Sequence, residues 1–211
     1  MKNKNIFIYM KDLDQYINEG FKLGKDYKNP FNYHPKYTME LKKLINQLIS
    51  ERGNEADLND IDTSEITNMV ELFCNSDFNG DISRWDVSNV ENMSDMFLGS
   101  EFNGDISKWD VSNVQNMSNM FYQSDFNGDL SKWDVSNVYD MYGMFNGSKF
   151  TGQNGDISKW DVINVKDMRY MFCESSFSGD VSKWKIRLVK TDAMFKRCPL
   201  EDNAPKWYRK Y

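Results

Sequence analysis

The sequence predicts a strand-rich α/β solenoid, a stack of short units closed by a helical cap at its N-terminal end. Three observations carry that prediction. All six tryptophans, Trp85, Trp109, Trp133, Trp160, Trp184 and Trp207, fall in one column, spaced 24, 24, 27, 24 and 23 residues apart. Around each runs nearly the same string, written most cleanly as FNGDISKWDVSNVQNMSNMF from Phe102 to Phe121. Residues 1–55 lack the repeat but carry an amphipathic helical pattern. A fixed period in the twenties marks units that bury their apolar faces only against their neighbours.

The apolar columns define the expected core. Ile61 heads the tryptophan column, because ADLNDIDTSEITNMVELF is a degenerate first copy. Three residues before it stand Leu58, Ile82, Ile106, Leu130, Ile157 and Val181, and five after it Ile66, Val90, Val114, Val138, Val165 and Val189. Methionines such as Met93 and Met117, Met-Phe pairs such as Met96-Phe97, and a leading aromatic such as Phe78 or Phe102 complete each copy.

Within a copy, Asp-Ile-Ser-Lys-Trp-Asp alternates polar and apolar residues and predicts a short strand. The preceding Asn-Gly steps (Asn79-Gly80, Asn103-Gly104, Asn127-Gly128) predict a tight turn with positive φ. Ser-Asn-Val-x-Asn-Met-x-x-Met-Phe predicts a turn followed by a short helix or 3₁₀ segment. Two acidic columns, led by Asp81 and Asp86, flank a basic one of Arg84, Lys108, Lys132, Lys159 and Lys183, a pattern that suits cross-strand pairing. Asp and Ser beside turns also accept backbone amides. Asn89, Asn113, Asn137 and Asn164 form a column able to bond from copy to copy.

The string F-N-G-D-I-S-x-W-D-V-S-N-V-x-N-M-x-x-M-F resembles the repeat of BspA-like leucine-rich-repeat surface proteins, a type common in mycoplasma lipoproteins and gut bacteria. The likeness covers about residues 56 to 207. It implies a leucine-rich-repeat-like stack of about seven 24-residue units, used for adhesion or protein contact, with no enzymatic activity and no catalytic residues. The known members of that family are usually exported or lipid-anchored, a pattern from which this chain as written departs.

The expected division is a cap over 1–55 and a solenoid over 56–211. Tyr9 to Phe21 has helical spacing, and Lys25 to Pro35 reads as a loop. Thr38 to Arg52 places Leu41, Leu44, Ile45, Leu48 and Ile49 on one face, and Gly53 stops it. Covering the open end of the stack is its expected task. At the other end Pro205 suits a final edge strand.

A net charge of −6 without a basic stripe makes nucleic acid a poor partner. The apolar run Ile6 to Met10 is too short for a signal peptide, no lipobox cysteine follows, and no stretch suits membrane insertion. The chain as written is therefore expected in the cytoplasm or a virion, and at the cell surface if a leader precedes it. Cys74 and Cys173 share a column four copies apart, too distant for a disulfide.

No catalytic motif emerges. His34 is the single histidine and has no partner nearby in sequence. No cofactor is expected. Calcium is the one metal for which ligands cluster, at Asp77 to Asp81 and Asp125 to Asp129, but Lys149 stands in the leading ligand column. The copies differ most in the stretch after Val90 and its equivalents. There Tyr122, Tyr139, Tyr142, Arg169 and Tyr170 are expected to share a face, and Tyr and Arg are the residue types of interface hot spots. The expected function is a non-enzymatic protein-interaction module of unidentified partner. The alternatives are a cell-surface adhesin for host or matrix protein and a structural component of a phage virion.

Overall fold

The computed structural model describes residues 31–209. They lie in the second of two compact units, Met1–Pro30 and Phe31–Tyr211. The helix expected over Tyr9 to Phe21 falls outside the described residues. From Ile61 onward each repeat forms one coil, numbered here one to six after Ile61, Trp85, Trp109, Trp133, Trp160 and Trp184. Parallel bridges join Asn68, Asn92, Asn116, Asp140, Asp167 and Lys190 in one file down the stack.

This ladder runs through the Asn-Met-x-x-Met-Phe stretch, where the sequence suggested a helix. The reason is an alternation of backbone amides. In coil two, Met93, Asp95, Phe97 and Gly99 donate to Asn116, Ser118, Met120 and Tyr122 of coil three, while Met96, Leu98 and Ser100 donate to Met93, Asp95 and Phe97 of their own coil. An α-helix sends every amide to the same strand of chain, so it cannot form here. The alternation requires two left-handed residues per coil: Glu71 and Asn75, Asp95 and Gly99, Asn119 and Gln123, Gly143 and Gly147, Tyr170 and Glu174, Ala193 and Arg197. Each non-glycine there costs on the order of 1 kcal/mol, offset by the ladder it permits.

The expected strand, Asp-Ile-Ser-Lys-Trp-Asp, is instead a corner. Ile82 and Trp85 both point into the core, and the Trp85 amide closes a turn on the Ile82 carbonyl at 3.2 Å. Asp81 Oδ1 accepts the Ser83 amide at 2.8 Å, and Asp105, Asp129, Asp156 and Asp180 repeat the bond. Backbone amides thus satisfy this acidic column. In the basic column only Arg84 is ion-paired among the described residues, to Asp57 at 3.6 Å. The turn carbonyl has a second donor. The indole N–H of Trp85, Trp109, Trp133, Trp160, Trp184 and Trp207 reaches Leu58, Ile82, Ile106, Leu130, Ile157 and Val181 of the preceding coil at 2.9–3.2 Å. Phenylalanine could fill this column but could not supply that bond.

The Met-Phe phenylalanines stack coil on coil, as in Phe97 on Phe121 at 5.5 Å. The leading phenylalanines form a second stack, as in Phe102 on Phe126 at 6.4 Å. The two stacks interleave at 4.5 Å between Phe97 and Phe102. This explains the Asn-Gly steps. Gly80, Gly104 and Gly128 are not in the left-handed region. Space is what they provide: a Cβ on Gly104 or Gly128 would lie 2.8 or 2.7 Å from the ring of Phe102 or Phe126. The asparagine of the step bonds onward, Asn79 Oδ1 accepting the Asn103 amide at 2.8 Å and Asn103 Oδ1 the Asn127 amide at 2.7 Å. The other asparagine column also bonds between coils, with Asn89, Asn113, Asn137 and Asn164 Nδ2 donating to Ser64, Ser88, Ser112 and Ser136 carbonyls.

Helix α1 spans Thr38–Arg52 and ends at Gly53, whose amide donates to Ile49. It lies in the same compact unit as the repeats and contributes Leu41, Ile45 and Leu48 to their core. Thr38 Oγ1 donates to the Asn68 carbonyl at 2.6 Å, capping the first position of the ladder. Arg52 forks onto Asp60 with both distances 3.0 Å. Tyr33 bridges Ile61 in parallel register. At the far end Pro205 opens a turn rather than an edge strand, its carbonyl accepting the Tyr208 amide at 2.9 Å. Tyr208 sets its ring edge-on to Phe195, and Glu201 accepts the Arg197 amide at 2.8 Å.

Three outcomes follow for stability. Trp109→Phe removes one interlayer bond but leaves the Ile82 carbonyl its turn amide, so urea unfolding should shift by about 1–2 kcal/mol. Gly99→Ala, at a φ of 62° with the Asn75 side-chain oxygen in the way of a Cβ, should cost about 2 kcal/mol. Gln123→Gly in the same column should cost nothing.

Candidate functional site

Part of the variation between copies lies on the outer side of the ladder stretch, while Ser94, Gly143 and Cys173 in the same columns are buried. Tyr142 of coil four and Arg169 and Tyr170 of coil five meet there. The Arg169 guanidinium carbon lies 5.3 Å from the centre of the Tyr142 ring, and Tyr170 meets that ring edge-on at 5.7 Å. A guanidinium over an aromatic face is attracted by the ring quadrupole. Asp167 fixes it in place: Arg169 Nε donates to Oδ1 at 3.0 Å and Nη2 to Oδ2 at 2.6 Å. Tyr170 is one of the left-handed residues, with φ 59°. Tyr139 stands in the same stretch with 48% of its surface exposed. Tyr122 is half-buried in coil three. Neither Tyr122 nor Tyr139 makes a ring contact with the other three, so the structure gathers three of the five expected residues. A helix would have placed positions three and four apart on one face; the ladder spreads them along the coil.

Asp167 was not singled out by the sequence. Its column reads Asn68, Asn92 and Asn116, then Asp140, two residues before Tyr142, and Asp167, two residues before Arg169. Burial pushes its carboxyl up, but the Arg169 side chain and amide, with the charges of Arg169 and Lys190, prevail and hold it below the usual range. The same bonds push the Arg169 guanidinium up.

Elsewhere five of the aspartates held low serve turns. Ser83, Ser107 and Ser182, through amide and then hydroxyl, hold Asp81, Asp105 and Asp180 below the usual range. Ser112 and Ser158 do so for Asp110 and Asp156, hydroxyl first. His34 has a partner that sequence proximity did not reveal: Nδ1 lies 3.1 Å from Asp62 Oδ2. The Ser64 hydroxyl donates to Asp62 Oδ1 at 2.7 Å, to the carboxylate instead of the imidazole. Cys74, Cys173 and Cys198 are free, and burial pushes all three thiols up. At the turn considered for calcium, Asp81 Oδ1 and Asn79 Oδ1 already accept amides. Among the described residues no three His, Cys, Asp or Glu side chains converge as a metal site. No described helix is long and apolar enough to cross a membrane.

The sequence profile of one family, described as a Mycoplasma protein of unknown function, DUF285, matches the chain twice, over residues 40–154 and 100–207. The chain belongs to that family, whose overlapping matches follow the repeats. No curated protein matches it, and no solved structure does.

The depressed carboxyls set an acid limit. A group whose folded pKa lies below its unfolded one stabilises the fold above the unfolded value, near pH 4, and loses that contribution as pH falls through the folded value. The melting temperature, followed by tryptophan fluorescence, should be flat from neutrality to about pH 5 and fall below about pH 4. Asp105→Asn, which keeps the acceptor without the proton equilibrium, should soften that fall.

Proposed function

We propose that this member of the DUF285 family is a leucine-rich-repeat-like solenoid of the BspA type, acting as a non-enzymatic protein-interaction module through its ladder face. The observation that carries the reading is the Tyr142–Arg169–Tyr170 cluster, with its guanidinium held by Asp167. Rigid aromatic and arginine side chains give contact area at low ordering cost, and interface energy concentrates in them. The core positions, by contrast, repeat from coil to coil and are withdrawn from solvent, which leaves the ladder face as the place where one copy differs from the next. The BspA resemblance supports a role at the cell surface, toward host or matrix protein.

The test is capture from the native source with the wild-type chain and with a variant carrying serine at Tyr122, Tyr139, Tyr142 and Tyr170. A partner held by the first and lost by the second, with the unfolding midpoint preserved, is the expected result. Equal capture by both would place the contact elsewhere on the chain.

A further inference from the structure

One exposed column of the ladder face changes charge in order along the stack. It reads Thr67, Glu91, Gln115, Tyr139 and Lys166 in coils one to five, and all five are exposed. Each amide donates to the carbonyl of the residue before it in the column, at 2.8, 2.8, 2.9 and 2.8 Å, so the residues stand in single file. In coil six the Lys190 amide continues the file onto the Lys166 carbonyl at 3.0 Å. Neither Glu91 nor Lys166 has an ion-pair partner among the described residues. Beside the acidic end lies an open groove of about 540 Å³, lined by Glu65, Thr67, Glu91, Asn113 and Gln115 with neighbouring Ser64 and Asn89.

A strip that is acidic at one end, neutral in the middle and basic at the other is complementary to itself turned end for end. We infer that the occupant of this strip is a second copy of the same chain, packed antiparallel about a twofold axis between coils three and four. The inference rests on the reading of the ladder face as a contact surface and names its partner. In that arrangement coil two faces coil five, so Lys166 of each copy enters the groove beside Glu91 of the other. Coil three faces coil four, which lays Tyr139 over Gln115. Twofold symmetry makes every such attraction occur twice. A parallel arrangement sets Glu91 on Glu91 and Lys166 on Lys166, which like-charge repulsion disfavours. The strip spans only about 14 Å from Glu91 to Lys166 at one ladder spacing per coil. The dimer is therefore small in area, reversible and salt-sensitive.

The experiment is sedimentation equilibrium on the full chain and on Glu91→Lys, Lys166→Glu, the double variant, and an equal mixture of the two single variants, with unfolding midpoints as a folding control. Wild type should dimerise at low ionic strength and dissociate at about 0.5 M salt, where screening is strong. Each single reversal should weaken the dimer about tenfold or more. The double variant should recover it. The mixture should form heterodimers, because one single variant is then basic at both ends of its strip and the other acidic at both. A wild type that stays monomeric at low ionic strength, or single reversals that dimerise like wild type, would overturn self-recognition. A double variant that fails to dimerise, or a mixture that fails to pair, would overturn the antiparallel register. Tyrosine-dependent capture of a foreign protein by a monomeric wild type would end the self-recognition proposal while leaving the contact-surface reading intact.

Discussion

Every other feature of this stack depends on where its backbone amides go. Along the ladder stretch they alternate, one closing a turn in its own coil and the next reaching the following coil. The alternation keeps the coil compact, so that methionines and phenylalanines three and four apart all enter the core. It also gives that stretch of each layer a direction, amides toward the C-terminal neighbour and carbonyls toward the N-terminal one, whereas two residues upstream the Glu91 amide and its equivalents run back to the preceding coil. Two left-handed residues per coil are the conformational cost. The tryptophan corner adds a bond of opposite sense, its indole donating back to the preceding coil. Neighbouring layers are thus tied by donors from both sides.

The two ends follow from that directionality. The first coil offers ladder carbonyls with no preceding layer, and α1 meets them with the Thr38 hydroxyl and an apolar face. The last coil offers amides with no following layer, and Glu201 and the Tyr208 ring lie against that side. A hydroxyl donor at the helix start and a carboxylate acceptor in the tail are chemically distinct solutions to the opposite faces of one ladder.

The sequence made the period and the columns legible, because burial forces the same residue types to recur. The helix over Thr38–Arg52 was legible with its stop at Gly53. The position of the ladder was not. Asp-Ile-Ser-Lys-Trp-Asp alternates like a strand, yet Ile82 and Trp85 turn inward together from a corner closed by Asp81. The left-handed positions hold Glu, Asp, Asn, Gln, Tyr, Ala and Arg as readily as Gly, so no residue type announces them. The Asn-Gly steps looked like turns because glycine usually signals φ, whereas here it makes room for a ring. At the candidate site the chemistry of Tyr142, Arg169 and Tyr170 was visible in adjacent copies, but the Asp167 clamp required knowing that residues two apart share the outer side of the coil.

The near-identity of the copies has a consequence for how the chain finds its order. Coils two, three and four present almost interchangeable surfaces, so a nascent coil can dock on the wrong neighbour, or on the matching coil of another molecule, with nearly native contacts. Such slipped or exchanged stacks are the typical kinetic traps of repetitive chains. The 27-residue spacing between Trp133 and Trp160 breaks the monotony. There Asn154 bonds back to Asn127, and Thr151 takes the asparagine bond that another copy would have filled. A layer of unusual length fits only one place in the stack, and so acts as an index mark from which the others can be counted.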